Sequence, residues 1–133
     1  ISGLAVSLGA ADITEIEFVT TTFSKAAGGT LQVRVRFNEE VDVTGTPQLT
    51  VVNDTNANHT LSYASGSGSN ELLFSLTIGA NNAATDADDE LSIGTNAVSL
   101  NGGTIKDKGT NTVSTITNVA SIGTAAGTIT VTA

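Results

Sequence analysis

Cysteine, methionine and tryptophan are absent from this chain, and proline, histidine and tyrosine occur once each, as Pro47, His59 and Tyr63. Without cysteine no disulfide can carry stability, and without thiolates and with one imidazole a zinc centre has too few ligands. Basic residues are also scarce. Five Lys and Arg stand against 13 Asp and Glu, for a net charge of −8. A surface of that sign repels a phosphate backbone and an anionic lipid headgroup, so neither nucleic acid nor membrane is expected as a partner. No apolar run approaches the roughly 18 residues needed to span a bilayer, and no secretory leader pattern is present. The first residue is Ile1, which is read as a processed end or the start of a segment cut from a longer polypeptide.

What remains is a palette of Thr, Ser, Asn, Gly and β-branched residues over 133 positions, enough for one domain with its own core. Period-2 alternation runs through it. In "TLQVRVRF" (30–37) Leu31, Val33, Val35 and Phe37 share one face, and Gln32, Arg34 and Arg36 the other. "ITEIEFV" (13–19), "QLTVV" (48–52), "HTLSYA" (59–64), "ELLFSLTI" (71–78), "AVSL" (97–100) and "TIKD" (104–107) read the same way. Two last strands are expected over 112–122 and 127–133, and no stretch shows a helical period. Asn101-Gly102-Gly103 reads as a tight hairpin turn between "AVSL" and "TIKD". Short strands parted by turn residues point to an all-β antiparallel sandwich. Its expected core is Ile16, Phe18, Leu31, Val33, Val35, Phe37, Leu49, Val51, Leu61, Tyr63, Leu72, Phe74, Leu76, Ile93, Val98, Leu100 and Ile105.

Little looks like chemistry. His59 follows a polar loop and reads as an exposed strand-edge residue, with nothing to place it in a Ser-His-Asp arrangement. Glu39 and Glu40 form a carboxylate pair on paper, but sugar-cleaving sites use aromatic platforms that this chain lacks. A carbohydrate-binding module suffers the same want of aromatics. Gly28-Gly29 and Gly102-Gly103 belong to turns and precede no helix, so they cradle no phosphate. Two Asn-x-Thr sequons, at Asn53 and Asn58, matter only in a host with a glycosylating secretory route.

The exception is "TDADDELSIG" (85–94), where Asp86, Asp88, Asp89 and Glu90 crowd into five positions. Carboxylates at alternating positions are ligands of the hard, oxygen-seeking kind that calcium takes, and Asp12 or Asp107 could approach from another loop. The loop has neither the turn glycine nor the distal glutamate of a helix-loop-helix calcium site. The competing reading is a solvated acidic turn that keeps one end of the sandwich soluble and discourages edge pairing.

Three stretches, "RFNEEVDVTGTPQLTV", "LSYASGSGSNELLFSLTI" and "NAVSLNGGTIKDKGTN", resemble the immunoglobulin-like repeats of large bacterial surface proteins. The resemblance rests on Phe37, Glu39, Val41, Gly45, Thr46, Pro47, Leu49, Tyr63, Ser65, Gly66, Ser67, Gly68, Leu73, Phe74, Asn101, Gly102, Gly103, Ile105 and Asp107, and covers about residues 18–111. Similar modules occur in virion proteins of tailed phages. The resemblance implies an immunoglobulin-like antiparallel β-sandwich. The chain, read as one such domain over 1–133, departs from the repeat at both ends and adds extra C-terminal strands over 112–133, which argues against a simple tandem repeat. No enzyme is expected. The expected function is a capsid- or tail-decorating virion protein, part of a larger assembly at the virion surface. It would dock on other virion or surface proteins through its edge strands and termini, with "GTITVTA" (127–133) able to add a strand to a neighbour's sheet. The alternative is one repeat of a secreted or cell-surface bacterial adhesin or filament, stiffened by calcium at Asp86, Asp88, Asp89 and Glu90. No other cofactor is expected.

Overall fold

A computed structural model describes residues 11–82 and 85–133; the N-terminal part of the expected docking extension, residues 1–10, lies outside the described residues. The fold is all-β, a curled mixed sheet with one short helix. In chain order the elements are β1 (Ile13–Phe18), β2 (Phe23–Ser24), β3 (Gly29–Thr44), β4 (Gln48–Asn53), β5 (His59–Ser65), β6 (Ser69–Ile78), β7 (Glu90–Ser92), β8 (Val98–Ser99), β9 (Thr104–Asp107), α1 (Ala120–Ala126) and β10 (Thr128–Thr132). Hydrogen-bonded neighbours follow the order β1-β3-β6-β5-β4-β7-β10-β2, with β8 beside β4 and β9 beside β3. The two marginal strands β1 and β2 are joined by residues 19–22, so the sheet bends round its own apolar face and returns to where it began.

The alternation of "TLQVRVRF" sets this up. Leu31, Val33, Val35 and Phe37 are buried, because side chains two apart share a face of the pleat. Phe74 on β6 lies opposite Val33 on one side and Tyr63 on the other, and its ring meets Tyr63 edge-on at 6.2 Å and 73°. Burying one such side chain contributes about 1.5–3 kcal/mol. On the solvent face Arg34 and Arg36 interleave with Glu15, Glu17 and Glu71 from β1 and β6, with Arg34 to Glu17 at 2.8 Å and Arg36 to Glu71 at 2.6 Å. Every expected core residue is buried except Tyr63, Leu76 and Leu100, which pack half-buried against the core. Ala11, Ile13, Phe23, Val41, Ile78, Leu91, Ala97, Ile129 and Val131 complete it.

Two sequence expectations are corrected. The run 112–122 is not a strand: it makes isolated bridges at Val113 and Thr115 and then enters α1. Its apolar residues do not alternate against the core, since Val113 and Val119 are 57 % and 62 % exposed. Ile122 and Ala126, four apart, turn to the core instead, and Gly123 sits so close to the Ile93 carbonyl that a Cβ would lie 2.1 Å from it. Asn101-Gly102 does form a tight turn with positive φ at both residues (48° and 81°), yet no hairpin: β8 leaves it to pair with β4 and β9 to pair with β3. "GTITVTA" supplies the last strand expected of it, as β10 within its own sheet. β10 runs antiparallel to β7 through Thr128, Ile129 and Thr130, and parallel to β2 through Val131 and Thr132.

Candidate functional site

The acidic knot sits where the loop after β6 enters β7. It is met there by the β4–β5 loop and by the turn between β2 and β3. Asp89 is 2 % exposed and faces four donors. Its Oδ2 accepts from Asn53 Nδ2 at 3.0 Å, Asn56 Nδ2 at 2.8 Å and the Asp86 main-chain N–H at 2.9 Å, and its Oδ1 accepts from the Thr55 hydroxyl. Burial alone would push this carboxyl's pKa up. The donors outweigh burial and hold it well below the usual carboxylate range. Asn53 shapes the donor loop as well, since its own Oδ1 accepts from the N–H of Thr55 at 3.1 Å and of Asn56 at 3.3 Å, an Asx turn.

Asp86 is exposed and takes its charge partner from the chain itself. Lys25 Nζ donates to Asp86 Oδ1 at 2.8 Å, to the Thr85 carbonyl at 2.8 Å and to the Asn82 carbonyl at 3.1 Å. One carboxylate and two carbonyls are the kinds of oxygen that a hard cation gathers, and here an ammonium gathers them. Lys25 first, and Asn56 after it at 3.0 Å, hold the Asp86 pKa below its ordinary value.

Asp88 and Glu90 turn elsewhere. Asp88 is exposed at φ 72°, and its N–H donates to the Val131 carbonyl at 2.7 Å. Glu90 is exposed at the start of β7, with its N–H on Asp54 Oδ1 at 2.8 Å. Asp12 bridges to Thr115 and Asn38, and Asp107 holds the turn that follows β9, so neither joins the knot. Among the described residues no group of three or more His, Cys, Asp or Glu side chains is placed to hold a metal ion.

The exposed histidine expected at position 59 is also corrected. His59 is 6 % exposed as the first residue of β5, opposite Val51, with Nε2 3.2 Å from Thr85 Oγ1. Burial lowers its pKa from 6.5, and the nearby Asp89 charge opposes that shift. Of the two sequon asparagines, Asn53 is buried on Asp89 while Asn58 is exposed, its Oδ1 accepting the Asn53 N–H at 3.1 Å. Glu39 and Glu40 are adjacent on β3, one half-buried and one exposed, and adjacent strand residues project to opposite faces.

Residues that carry the family resemblance collect away from the knot and hold turns. Asn101 Nδ2 donates to the Thr46 carbonyl at 3.1 Å, and Gly45 and Gly103 lie so close that a Cβ on Gly45 would sit 2.8 Å from Gly103 Cα. The Tyr63 N–H donates to the Pro47 carbonyl at 2.8 Å, its hydroxyl accepts from the Ser67 N–H at 2.9 Å, and Ser67 Oγ accepts from the Val43 N–H at 2.8 Å. These are scaffolding bonds that fix the turns.

One further concavity, of about 350 Å³, opens at the seam between the sheet margins and is lined by Thr20, Thr22, Phe23, Ser24, Gly28, Gly29, Thr30 and Thr132. Its hydroxyls largely close the seam. Thr20 Oγ1 donates to the Thr30 carbonyl at 2.8 Å and accepts the Gln32 N–H at 3.0 Å, filling the place of a strand's main chain, while Thr132 Oγ1 donates to the Phe23 carbonyl at 3.2 Å. No titratable group lines it.

Sequence reasoning found the acids and missed their partners. Lys25, Asn53, Thr55 and Asn56 lie 30 to 61 positions away from the acids they bind. The one local sign was the polar run "NDTNAN", which reads equally as a sequon. Comparison with protein-family models, with curated proteins and with solved structures returns no match.

Proposed function

We propose that this chain is a non-enzymatic structural and interaction module with an immunoglobulin-like sandwich fold. In this reading it decorates the capsid or tail of a phage virion and docks onto other virion proteins. The carrying observation is the composition of the acidic knot. Its buried carboxylate is satisfied by Asn53, Thr55 and Asn56, and its exposed one by Lys25. Protein donors and an ammonium on those two carboxylates suit a domain anchored by a lattice better than one that relies on calcium between covalent neighbours. The polar, net-negative surface and the brevity of the marginal strand β2 and of β8 suit a module that must not aggregate edge to edge.

The second reading, a repeat of a bacterial adhesin or filament stiffened by calcium at Asp86, Asp88, Asp89 and Glu90, is favoured by the sequence resemblance. Two measurements separate them. Co-sedimentation with virion particles stripped of accessory proteins should be saturable and reach a fixed stoichiometry. A thermal melt should be the same in millimolar calcium and in chelator, whereas a native-state binder raises stability as RT ln(1 + [L]/Kd). No sedimentation together with a calcium-dependent melt overturns the virion reading in favour of the adhesin one.

A further inference from the structure

Asp107 and Ser114 are the two described residues with a buried side-chain oxygen that has no partner: Asp107 Oδ2 and Ser114 Oγ. Asp107 is 1 % exposed, and its other oxygen is occupied, since Oδ1 accepts the Gly109 N–H at 2.8 Å and the Thr110 N–H at 3.1 Å. Leaving a buried carboxylate oxygen and a buried hydroxyl both unmet is costly, and buried polar atoms are nearly always bonded to protein or to ordered water.

The register brings the two together. β9 runs antiparallel to the segment after its turn: Lys106 bridges Val113, the Ser114 N–H donates to the Ile105 carbonyl at 2.9 Å, and the Asp107 N–H donates to the Thr112 carbonyl at 2.7 Å. Lys106 and Val113 share the outer face, where Val113 is exposed, so their neighbours Asp107 and Ser114 turn to the inner face. Residues set diagonally on one face of an antiparallel pair lie about 7–8 Å apart at the backbone, and their side chains reach closer. One water molecule, bonded at about 2.8 Å to each of two oxygens, fits such a gap.

We infer that a single buried water bridges Asp107 Oδ2 and Ser114 Oγ. It donates one hydrogen to the carboxylate, exchanges another bond with the hydroxyl, and ties the turn after β9 to the body of the sheet. The ligand is water rather than a metal ion because the two unmet groups offer only one carboxylate oxygen and one hydroxyl. A calcium ion wants six to eight oxygens, whereas a water needs two to four partners. The inference also gives the aspartate of the "LNGGTIKD" stretch a two-sided role: Oδ1 caps the turn and Oδ2 holds the water.

A crystal structure at high resolution tests it directly: one peak within hydrogen-bond distance of both oxygens is expected. In solution, Ser114→Ala, Asp107→Asn and the double variant should be non-additive. The combined loss in the folding equilibrium constant should be at least threefold smaller than the product of the single losses, because either change already releases the shared water. If Asp107→Asn does not fold, the Ser114→Ala crystal structure decides, with the peak expected to vanish or lose occupancy. Additive losses, an empty gap in the native crystal, a peak that survives Ser114→Ala unchanged, or a peak with metal-like distances and a melt that follows calcium would each overturn the inference.

Discussion

Lys25 Nζ lies 2.8 Å from Asp86 Oδ1 and equally close to the Thr85 carbonyl, so a side chain from the turn after β2 clamps the loop before β7 across 61 positions of sequence. Replacing Lys25 by Met keeps the stem and removes the charge. The expected result is a lower melting temperature and faster amide exchange at Asp88 and Asp89, with the outer ion pairs of Arg34 and Arg36 undisturbed. Exchange rates equal to those of the parent protein would mean that the clamp is not formed in solution.

Asp89 should matter more than its exposed neighbours. Asp89→Ala strips the shared acceptor from buried Asn53, from half-buried Asn56 and from Thr55, and opens a gap in the cradle, at roughly 2–4 kcal/mol. Denaturant unfolding measures this, and Glu90→Gln, at an exposed strand end, is the control expected to change little. A loss below about 1 kcal/mol for Asp89→Ala would show that the cradle adds nothing net to stability.

Acid should weaken the fold in two stages. His59 has a folded pKa below 6.5, so the unfolded chain binds the proton more readily, and stability falls as pH drops from 6.5 towards the folded value. Asp89 also has a lowered pKa, and its contribution is complete above the ordinary value of 3.8 and lost as pH falls below that. Melting temperature against pH should therefore show an upper step that His59→Gln removes and a lower one that Asp89→Asn removes. A profile flat from pH 7 to 5 in the parent protein would contradict the upper step.

Asp88 separates backbone geometry from ligation. At φ 72° a residue with a Cβ is strained, Asp and Asn least among them. Asp88→Gly should be close to neutral and Asp88→Ala should lose about 1 kcal/mol. If both substitutions cost equally, and more so in calcium, the side chain would be the functional part.

Gly103 is expected to refuse any side chain. A Cβ there would lie 2.4 Å from the Thr44 carbonyl oxygen, against a backbone that has no room to yield. Gly103→Ala should cost roughly 1–3 kcal/mol by the overpacking rule. An equal melting temperature would mean that the turns at 45–47 and 101–103 do not press together as described.

Much of the fold was legible because a strand with one buried face writes itself into the chain at every second residue, as in Leu31, Val33, Val35 and Phe37 or Leu72 and Phe74. The illegible parts fall where that signal is too short or is overruled. β2 and β7 hold two and three residues, less than one full alternation. α1 has just two larger apolar side chains on its inner side, Ile122 and Ala126, beside buried Gly123, and β-branched Val113, Ile116 and Val119 before it imitate a strand that tertiary packing does not form. The positive φ at Asn101 and Gly102 was readable from residue type, but which strands leave the turn is decided by the sheet and not by the turn. The same holds at the acidic knot. Clustered carboxylates are a local fact, whereas Lys25 and the Asn53 loop reach them only through the folded chain.

The position of β10 between β7 and β2 has a kinetic meaning. Phe23 lies beside Val131, so an early segment waits for a very late one before it gains a strand partner. During synthesis the β3–β6 and β4–β5 pairs can form as they emerge, while β2 and the inner edge of β7 stay open until residue 132 is out. Closing that loop is slow, because contacts distant in sequence return their stabilisation only after the loop entropy has been lost. The interval in which those edges are bare is when this chain is most exposed to mispairing with its own copies, and it ends with the strand "TITVT".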